Sequence, residues 1–576
     1  MKLNFKLFVL LFMAMTMFNC ETDDSGDYGS SQGINQEFEF GAIIQKDFIG
    51  TVVDESNIAI SNATVIIGAK TAQTDSNGVF IIEDADVQEK FAYIQVTKTG
   101  YLNGMKSVVP TEGGNSVAIM LLTETVQALT ASNEILMPNG TKVTFNGGFE
   151  DAAGNLYSGS VHYSINHVDP SSPTIAKEMP GMLLGKTTSD EFEVLETYGM
   201  LHVSLTDASG NALQLATGST AEIRMPIPTE LTGAPDTIPL WSFDEGAGYW
   251  VEEGFATKTG SEYVGMVSHF SWWNCDASFP TTEFCLNVED DNGNPLANVQ
   301  VDLSFGINPF PVVGVSSSEG QICGLIPVGE TITLVAYDYC GNEIYTNYIS
   351  SSFTGSSQTI VISAGSAQPT VITGNFLDCD YNPITEGYVQ LNYGALTSYT
   401  VIENGTFEIS TLICNSDTSI SIEGIDYLTT QSTGEIPFTL LQPITDLGTV
   451  ISCNAVDEFF TYQLDDETPI TSINVAGYSD PSGGFNINAV SGIGELHFSI
   501  DTTVLGTYTL ADFDAFLYIA DINLDTGENT TSNFQFVITG YDPIGGYISV
   551  TFSGDYVDAA GVTHSISGTI HSRRDS

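Results

Sequence analysis

The strongest constraint on this chain is a motif that it spells three times. The first copy runs Phe48-Ile49-Gly50-Thr51-Val52-Val53-Asp54, continues through Ile60, Ala63 and Val65, and turns at Asp75-Ser76-Asn77-Gly78-Val79-Phe80. The second runs Phe284-Cys285-Leu286-Asn287-Val288-Glu289-Asp290, then Pro295, Ala297 and Val299, then Ser318-Glu319-Gly320-Gln321-Ile322-Cys323. The third runs Gly374-Asn375-Phe376-Leu377-Asp378, then Pro383 and Val389, then Glu403-Asn404-Gly405-Thr406-Phe407. Each copy reads as a strand, an acidic turn, a second strand, and a hairpin turn with Gly where φ must be positive. Short, regular strand spacing is the pattern of a β-sandwich. A unit of roughly 90 residues makes each copy a small domain rather than one coil of a solenoid.

Composition points the same way. With 56 Gly, 32 Phe and 24 Tyr, and few Leu/Ala/Glu/Lys/Arg stretches, the chain favours strands and turns over helices. Its 71 Asp+Glu against 14 Lys+Arg give a formal charge of −57. That excludes nucleic acid as a partner, since phosphate binding needs clustered Lys and Arg, and it excludes a polybasic membrane patch. A hydrophobic fraction of 42% separates the chain from disordered acidic tails. The expected fold class is all-β, tandem β-sandwich domains of immunoglobulin-like or transthyretin-like type after a lipoprotein signal peptide. The expected division is 1–19 signal peptide, 20–36 acidic tether, 37–124 first sandwich, 125–278 Trp-rich β-domain, 279–366 second sandwich, 367–454 third sandwich, and 455–576 C-terminal antiparallel β-domain.

The three copies resemble the carboxypeptidase regulatory-like sandwich, also called transthyretin-like or carbohydrate-binding-like. In the first copy the likeness extends to Tyr93-Ile94-Gln95-Val96-Thr97-Lys98-Thr99-Gly100-Tyr101, which resembles that family's closing strand and Gly-Tyr turn. The resemblance implies no peptidase. A zinc carboxypeptidase needs an H-x-x-E pair, and none of His162, His167, His202, His269, His497, His564 or His571 has Glu three residues on. No cofactor is expected.

The N-terminus reads as an address. Lys2 and Lys6 precede an apolar stretch from Leu7 to Phe18, too short to span a bilayer but suited to a secretory signal, and Cys20 follows. This arrangement resembles the lipidation site of Bacteroidetes-type surface lipoproteins, although Asn19 and Met17 depart from the usual residues. Glu21-Thr22-Asp23-Asp24-Ser25-Gly26-Asp27 is similar to their acidic export signal. The resemblance implies lipid on Cys20, the outer membrane as a partner, and a surface-exposed chain. An ordinary cleaved signal and a secreted protein is the alternative. Gly29-Ser30-Ser31-Gln32-Gly33 fits the G-x-S-x-G pattern by coincidence, because it lies in a polar tether and not on a strand-to-helix turn.

The middle segment carries Ala221-Glu222-Ile223-Arg224-Met225-Pro226-Ile227-Pro228, Pro239-Leu240-Trp241-Ser242-Phe243-Asp244-Glu245, Tyr249-Trp250-Val251 and His269-Phe270-Ser271-Trp272-Trp273-Asn274. These resemble the β-region of cartilage intermediate layer protein, and also the self-cleaving β-domains of ankyrin-like and netrin-receptor-like proteins. The second likeness implies a cut at Phe270–Ser271, with Ser271 as nucleophile and His269 as base. The bland reading is a strand whose Phe270 and Trp272 enter a core. His497-Phe498-Ser499 repeats the tripeptide inside an ordinary strand pattern, which weakens the reactive reading. Trp241, Trp250, Trp272 and Trp273 are all the Trp of the chain. They are candidates for stacking on a sugar if exposed, and core residues if not.

Beyond Cys20, seven cysteines lie between Cys275 and Cys453, without C-x-x-C spacing for zinc. An exported compartment permits disulfides. Cys323–Cys340 is the plausible bridge inside the second module, with Cys379, Cys414 and Cys453 supplying another, and the odd count leaves a thiol over. No metal site is expected. The Asp521-Ile522-Asn523-Leu524-Asp525-Thr526-Gly527 segment starts like a calcium loop, but Ser532 stands where the twelfth-position Glu belongs. Glu289-Asp290-Asp291-Asn292 reads as a solvated turn. The ending, through Tyr547-Ile548-Ser549-Val550-Thr551-Phe552 and Thr563-His564-Ser565-Ile566, resembles small domains of Bacteroidetes lipoproteins. The functional expectation is a non-enzymatic surface lipoprotein presenting sandwiches for adhesion or for a glycan or protein ligand. Carbohydrate binding and self-cleavage are the alternatives.

Overall fold

The computed structural model describes residues 38–574, apart from 131–132, 307–308, 339–340, 364–368, 394–395, 414–419, 429–430, 456–458, 466–469, 473–474, 480–482, 492–493, 510–515, 520–521, 525–533, 542–543, 545–546 and 558–560. The signal segment, Cys20, the tether, Cys340, Cys414, Asp521 and Gly527 therefore lie outside the described residues. Helix among the described residues is confined to Ile175–Glu178, and everything else of regular structure is strand.

Three sandwiches share one strand plan. In the first, Ile43–Val53 lies between Val79–Gln88, antiparallel to it, and Asn115–Met120, parallel to it. Facing this three-stranded sheet is a four-stranded one in the order Lys70–Gln73, Thr64–Ile67, Ala92–Thr97, Gly104–Val108. Alternation aims Val52, Val65, Phe80, Ile94 and Ile119 into the core between the sheets. The third sandwich repeats the plan, with Pro369–Asp378 between Thr406–Leu412 and the parallel Ile444–Ser452. Its facing sheet contains Gly387–Tyr393, Leu396–Val401 and Ile420–Asp426.

The second sandwich has the same order but does not begin on a strand of its own. Trp272–Asp290 is one strand of 19 residues. Its first half pairs with Phe192–Thr206 of the middle domain, from His202↔Trp272 to Glu193↔Pro280. Its second half pairs with Gln321–Pro327, from Thr281↔Pro327 to Asn287↔Gln321, and in parallel with Ser357–Ile362. The ladder passes through residues 278 and 279 without a linker, so the middle domain and the second sandwich share one 16-stranded sheet. Residues from Phe38 onward form one compact unit.

The acidic turns of the repeats are built by one device. Asp290 Oδ1 accepts the backbone N–H of Asn292 at 2.8 Å and of Asn294 at 2.9 Å, while Asn294 Nδ2 donates to Oδ2 at 2.9 Å. Gly293 supplies the positive φ between them, at +80°. Asp151 and Asp207 hold Asn155 and Asn211 in the same way, and Asp378 holds Asp380 and Asn382. Hydrogen bonds from the Asn four residues on hold the carboxyls of Asp151, Asp207 and Asp378 below the usual range. At these four turns the aspartate fastens the backbone, an Asx-turn role. The C-terminal domain packs a six-stranded and a five-stranded antiparallel sheet around Phe485, Phe498, Phe536, Ile548 and Ile570.

Candidate functional site

Burial decides between the two readings of the four Trp: they are core residues, and the sugar-stacking alternative is corrected. Trp241 and Trp250 are 0% exposed, Trp273 1% and Trp272 2%, so none offers a face to a sugar at the surface. Adjacent Trp272 and Trp273 point to opposite faces of one sheet, as strand geometry requires. Trp273 enters the middle-domain core beside Phe145, Leu201 and Phe270, and its Nε1 donates to the His269 carbonyl at 3.1 Å. Trp241, Trp250 and Trp272 pack on the other face with Leu102, Met105 and Leu122 of the first sandwich. Trp241 Nε1 donates to the Asp276 carbonyl at 3.1 Å. These three Trp therefore dock the first sandwich onto the middle domain. Tyr93, whose hydroxyl donates to the Glu245 carbonyl at 2.8 Å, and Ser107, which donates to the Gly248 carbonyl at 2.7 Å, border the same interface.

The His269-Phe270-Ser271 segment is a bend between Glu262–Val267 and Trp272–Asp290, and none of its residues takes a positive φ. Phe270 is buried edge-on to Phe145, with ring centroids 5.6 Å apart. His269 Nε2 meets Glu253 Oε2 at 3.0 Å. That contact holds the Glu253 carboxyl below its ordinary range. The Ser271 hydroxyl donates to the Trp272 carbonyl at 3.2 Å. Gln214 Nε2 donates to the Phe270 carbonyl at 2.9 Å, and Gln214 Oε1 accepts the Phe270 N–H. The base and the nucleophile of the cleavage reading thus have separate partners. In the second copy, Phe498 is fully buried in a regular strand, Gly494–Ile500, and His497 contacts Asn488.

The expected Cys323–Cys340 bridge is replaced by another. Cys323 bonds Cys285, its direct cross-strand partner in the 19-residue strand, with Cα atoms 4.1 Å apart. Sequence spacing favoured the nearer-looking Cys340, whereas strand register brings Cys285 opposite Cys323. A second bridge joins Cys379 to Cys453, at the acidic turn and the closing strand of the third sandwich. Cys275 is a free, buried thiol, and burial pushes its pKa well up. Among the described residues no group of three or more His, Cys, Asp or Glu is arranged to hold a metal.

Sequence reasoning missed the contact that ties the first sandwich to the third. Asp75, in the hairpin turn of the first, is 1% exposed. Its Oδ1 accepts the backbone N–H of Asn77 and of Val79, both at 2.9 Å. Its Oδ2 accepts the hydroxyl of Tyr388 at 2.9 Å and that of Tyr427 at 3.5 Å. Asn77 Nδ2 donates to the Tyr388 oxygen at 3.0 Å. Ile49 and Val79 of the first sandwich pack there against Tyr388 and Ile425 of the third. Desolvation pushes the Asp75 carboxyl up to about 6. In sequence Asp75 is one more acidic turn, and only the pairing of sandwiches 313 residues apart distinguishes it.

No family model matches the chain. It is 35% identical over 124 residues to human cartilage intermediate layer protein 2, a match covering 22% of this chain and 11% of that protein. The mouse protein of the same name is 31% identical over 136 residues, covering 23% and 10%. The chain thus spans about a tenth of the length of the curated relatives it matches. Among solved structures, the shaft pilin spaA of Lactobacillus rhamnosus GG aligns at a TM-score of 0.17 and 8% identity, over 30% of this chain and 98% of that one. BcpA, the major pilin subunit of Bacillus cereus, aligns at a TM-score of 0.11 and 10% identity, over 71% and 100%. At scores this low the superpositions carry no weight for this chain. What its own sheets establish is a tandem β-sandwich protein with partial similarity to cartilage intermediate layer protein 2.

Proposed function

We propose that this chain is a non-enzymatic surface protein, anchored through lipid on Cys20, that presents a locked array of sandwiches for adhesion or ligand contact. The observation that carries the reading is the mutual locking of the modules. The strand Trp272–Asp290 belongs to two of them, and Asp75 and the buried Trp join the first sandwich to the third and to the middle domain. A protein that must hold a ligand-contacting surface away from its attachment point gains from junctions that do not bend. The four Trp nominated for sugar stacking lie in cores, which supports the reading, and His269 is hydrogen-bonded to Glu253.

The test is the intact mass of the protein recovered from its native membrane fraction. The expected result is one acylated polypeptide beginning at Cys20. An unlipidated chain in the soluble fraction would contradict the anchor and make the protein secreted. Two fragments meeting at Phe270–Ser271 would contradict the non-enzymatic reading.

A further inference from the structure

The three sandwiches can be compared position by position, because their first strands pair with their fourth strands in the same way. Phe48 stands opposite Ile82 in the first sandwich, and Ile372 opposite Ile409 in the third. The equivalent pair in the second is Phe284 opposite Gly324. Ile82 and Ile409 are buried core residues, 3% and 4% exposed. Gly324 supplies no side chain there, and a Cβ built on it would meet nothing within 4 Å. Cross-strand partners share a face, so the missing side chain would point inward with Phe284. The same place opens a cavity of about 280 Å³, lined by Gly324, Phe284, Leu286, Val301, Leu303 and Ile326 of the second sandwich. It extends to Lys106 and Val108 of the first sandwich and to Met179, Leu195 and Glu196 of the middle domain. Val312 and Val313, 50% and 41% exposed, stand at its edge. For scale, a void of about 150 Å³ lined by aliphatic side chains accepts benzene.

The polar groups of the lining are few and unequal. Ser107 donates to the Gly248 carbonyl at 2.7 Å, and Thr197 to Asn274 Oδ1 at 2.9 Å, so both hydroxyls are engaged. Glu196 accepts the Tyr198 hydroxyl at 3.3 Å. Lys106 is the cation of the lining, and its ammonium donates to the Ala176 carbonyl. An ammonium has three N–H groups, so two remain for a ligand. Desolvation pushes the Lys106 pKa down to about 8; the residue is half-buried and lines the cavity. An anion beside it would relieve that penalty.

We infer that this cavity is a binding site for a small apolar carboxylate, its chain or ring in the Gly324 void and its carboxylate on Lys106. Glu196 is the acid of the lining, so the carboxylate is favoured beside Lys106 and disfavoured beside Glu196. Such a site is of the expected kind, mostly apolar with a few placed polar groups.

Titration of the whole chain with decanoate at pH 7 by calorimetry, beside the uncharged decan-1-ol, tests the inference. One decanoate is expected to bind per chain, at least tenfold more tightly than the alcohol. Lys106→Met, with Lys106→Gln as a second variant that keeps a polar end, is expected to weaken decanoate about tenfold while leaving the alcohol within twofold. Gly324→Ile installs the residue that both sister sandwiches carry, so the variant is expected to fold with an unchanged or raised thermal midpoint and to weaken both ligands at least tenfold. Absence of decanoate binding to the folded chain would overturn the inference, and so would binding indifferent to both Lys106 and Gly324.

Discussion

At the scale of single residues, two side chains that the sequence marks for other roles act as fasteners. Asp75 has the raised pKa of a buried carboxyl, so the sign of its linkage is opposite to that of the turn aspartates. Its share of stability is fully present below the unfolded value of 3.8 and is lost as pH rises through about 6. The loss amounts to about 3 kcal/mol at neutral pH for a shift of this size. Asp151, Asp207 and Asp378 have lowered values, so their contribution is present above the unfolded pKa and is lost as pH falls through the folded one. Asp75→Asn keeps an acceptor for Asn77 and Val79 and removes the charge. Thermal melts between pH 4 and pH 8 should show the variant gaining stability over the parent above pH 6, and a loss there would refute the assignment. Trp250→Ala, by emptying a fully buried site, should cost about 3–5 kcal/mol in chemical denaturation. A glycan-binding role predicts a stable variant with lost sugar binding instead.

At the scale of elements, the strand plan was legible and its partnerships were not. Period-two alternation and Gly at the hairpins marked the first and fourth strands of each sandwich, because those signals are local. What joins Cys285 to Cys323, Asp75 to Tyr388 and Trp272 to Met105 is register and docking, which no local pattern encodes. The two HFS tripeptides make the same point: identical in sequence, one is a bend between strands and the other lies within a strand. The Trp cluster was visible, and only burial decided between sugar platform and core. Gly324 could have been read by aligning the three copies beyond their hairpin turns, where two carry Ile. Non-reducing peptide maps should yield Cys285 linked to Cys323 and Cys379 linked to Cys453. Replacing both Cys379 and Cys453 with Ser should lower stability by about 2–4 kcal/mol, as expected for a long closed loop. A map linking Cys323 to another cysteine would refute the register of the second sandwich.

At the scale of the whole molecule, the modules are joined by three different kinds of contact. A shared strand carries the middle domain into the second sandwich. A Trp-lined apolar face, flanked by hydrogen bonds to backbone carbonyls, holds the first sandwich on the middle domain. Apolar contacts of Ile49 and Val79 with Tyr388 and Ile425, with the Asp75 carboxyl and its Tyr partners beside them, join the first sandwich to the third. Small sandwiches bury limited cores on their own, so each junction adds apolar burial as well as fixing an angle. The cavity lies where three modules meet, at the side chain that Gly324 lacks. Amide hydrogen exchange of the native protein tests the locking most directly. The backbone amides of Trp272–Asp290 and of Asp75–Val79 should exchange together, with protection close to that of the sandwich cores. Fast exchange across residues 278–282, with the flanking cores still protected, would show separate domains on a hinge and would contradict the locked array.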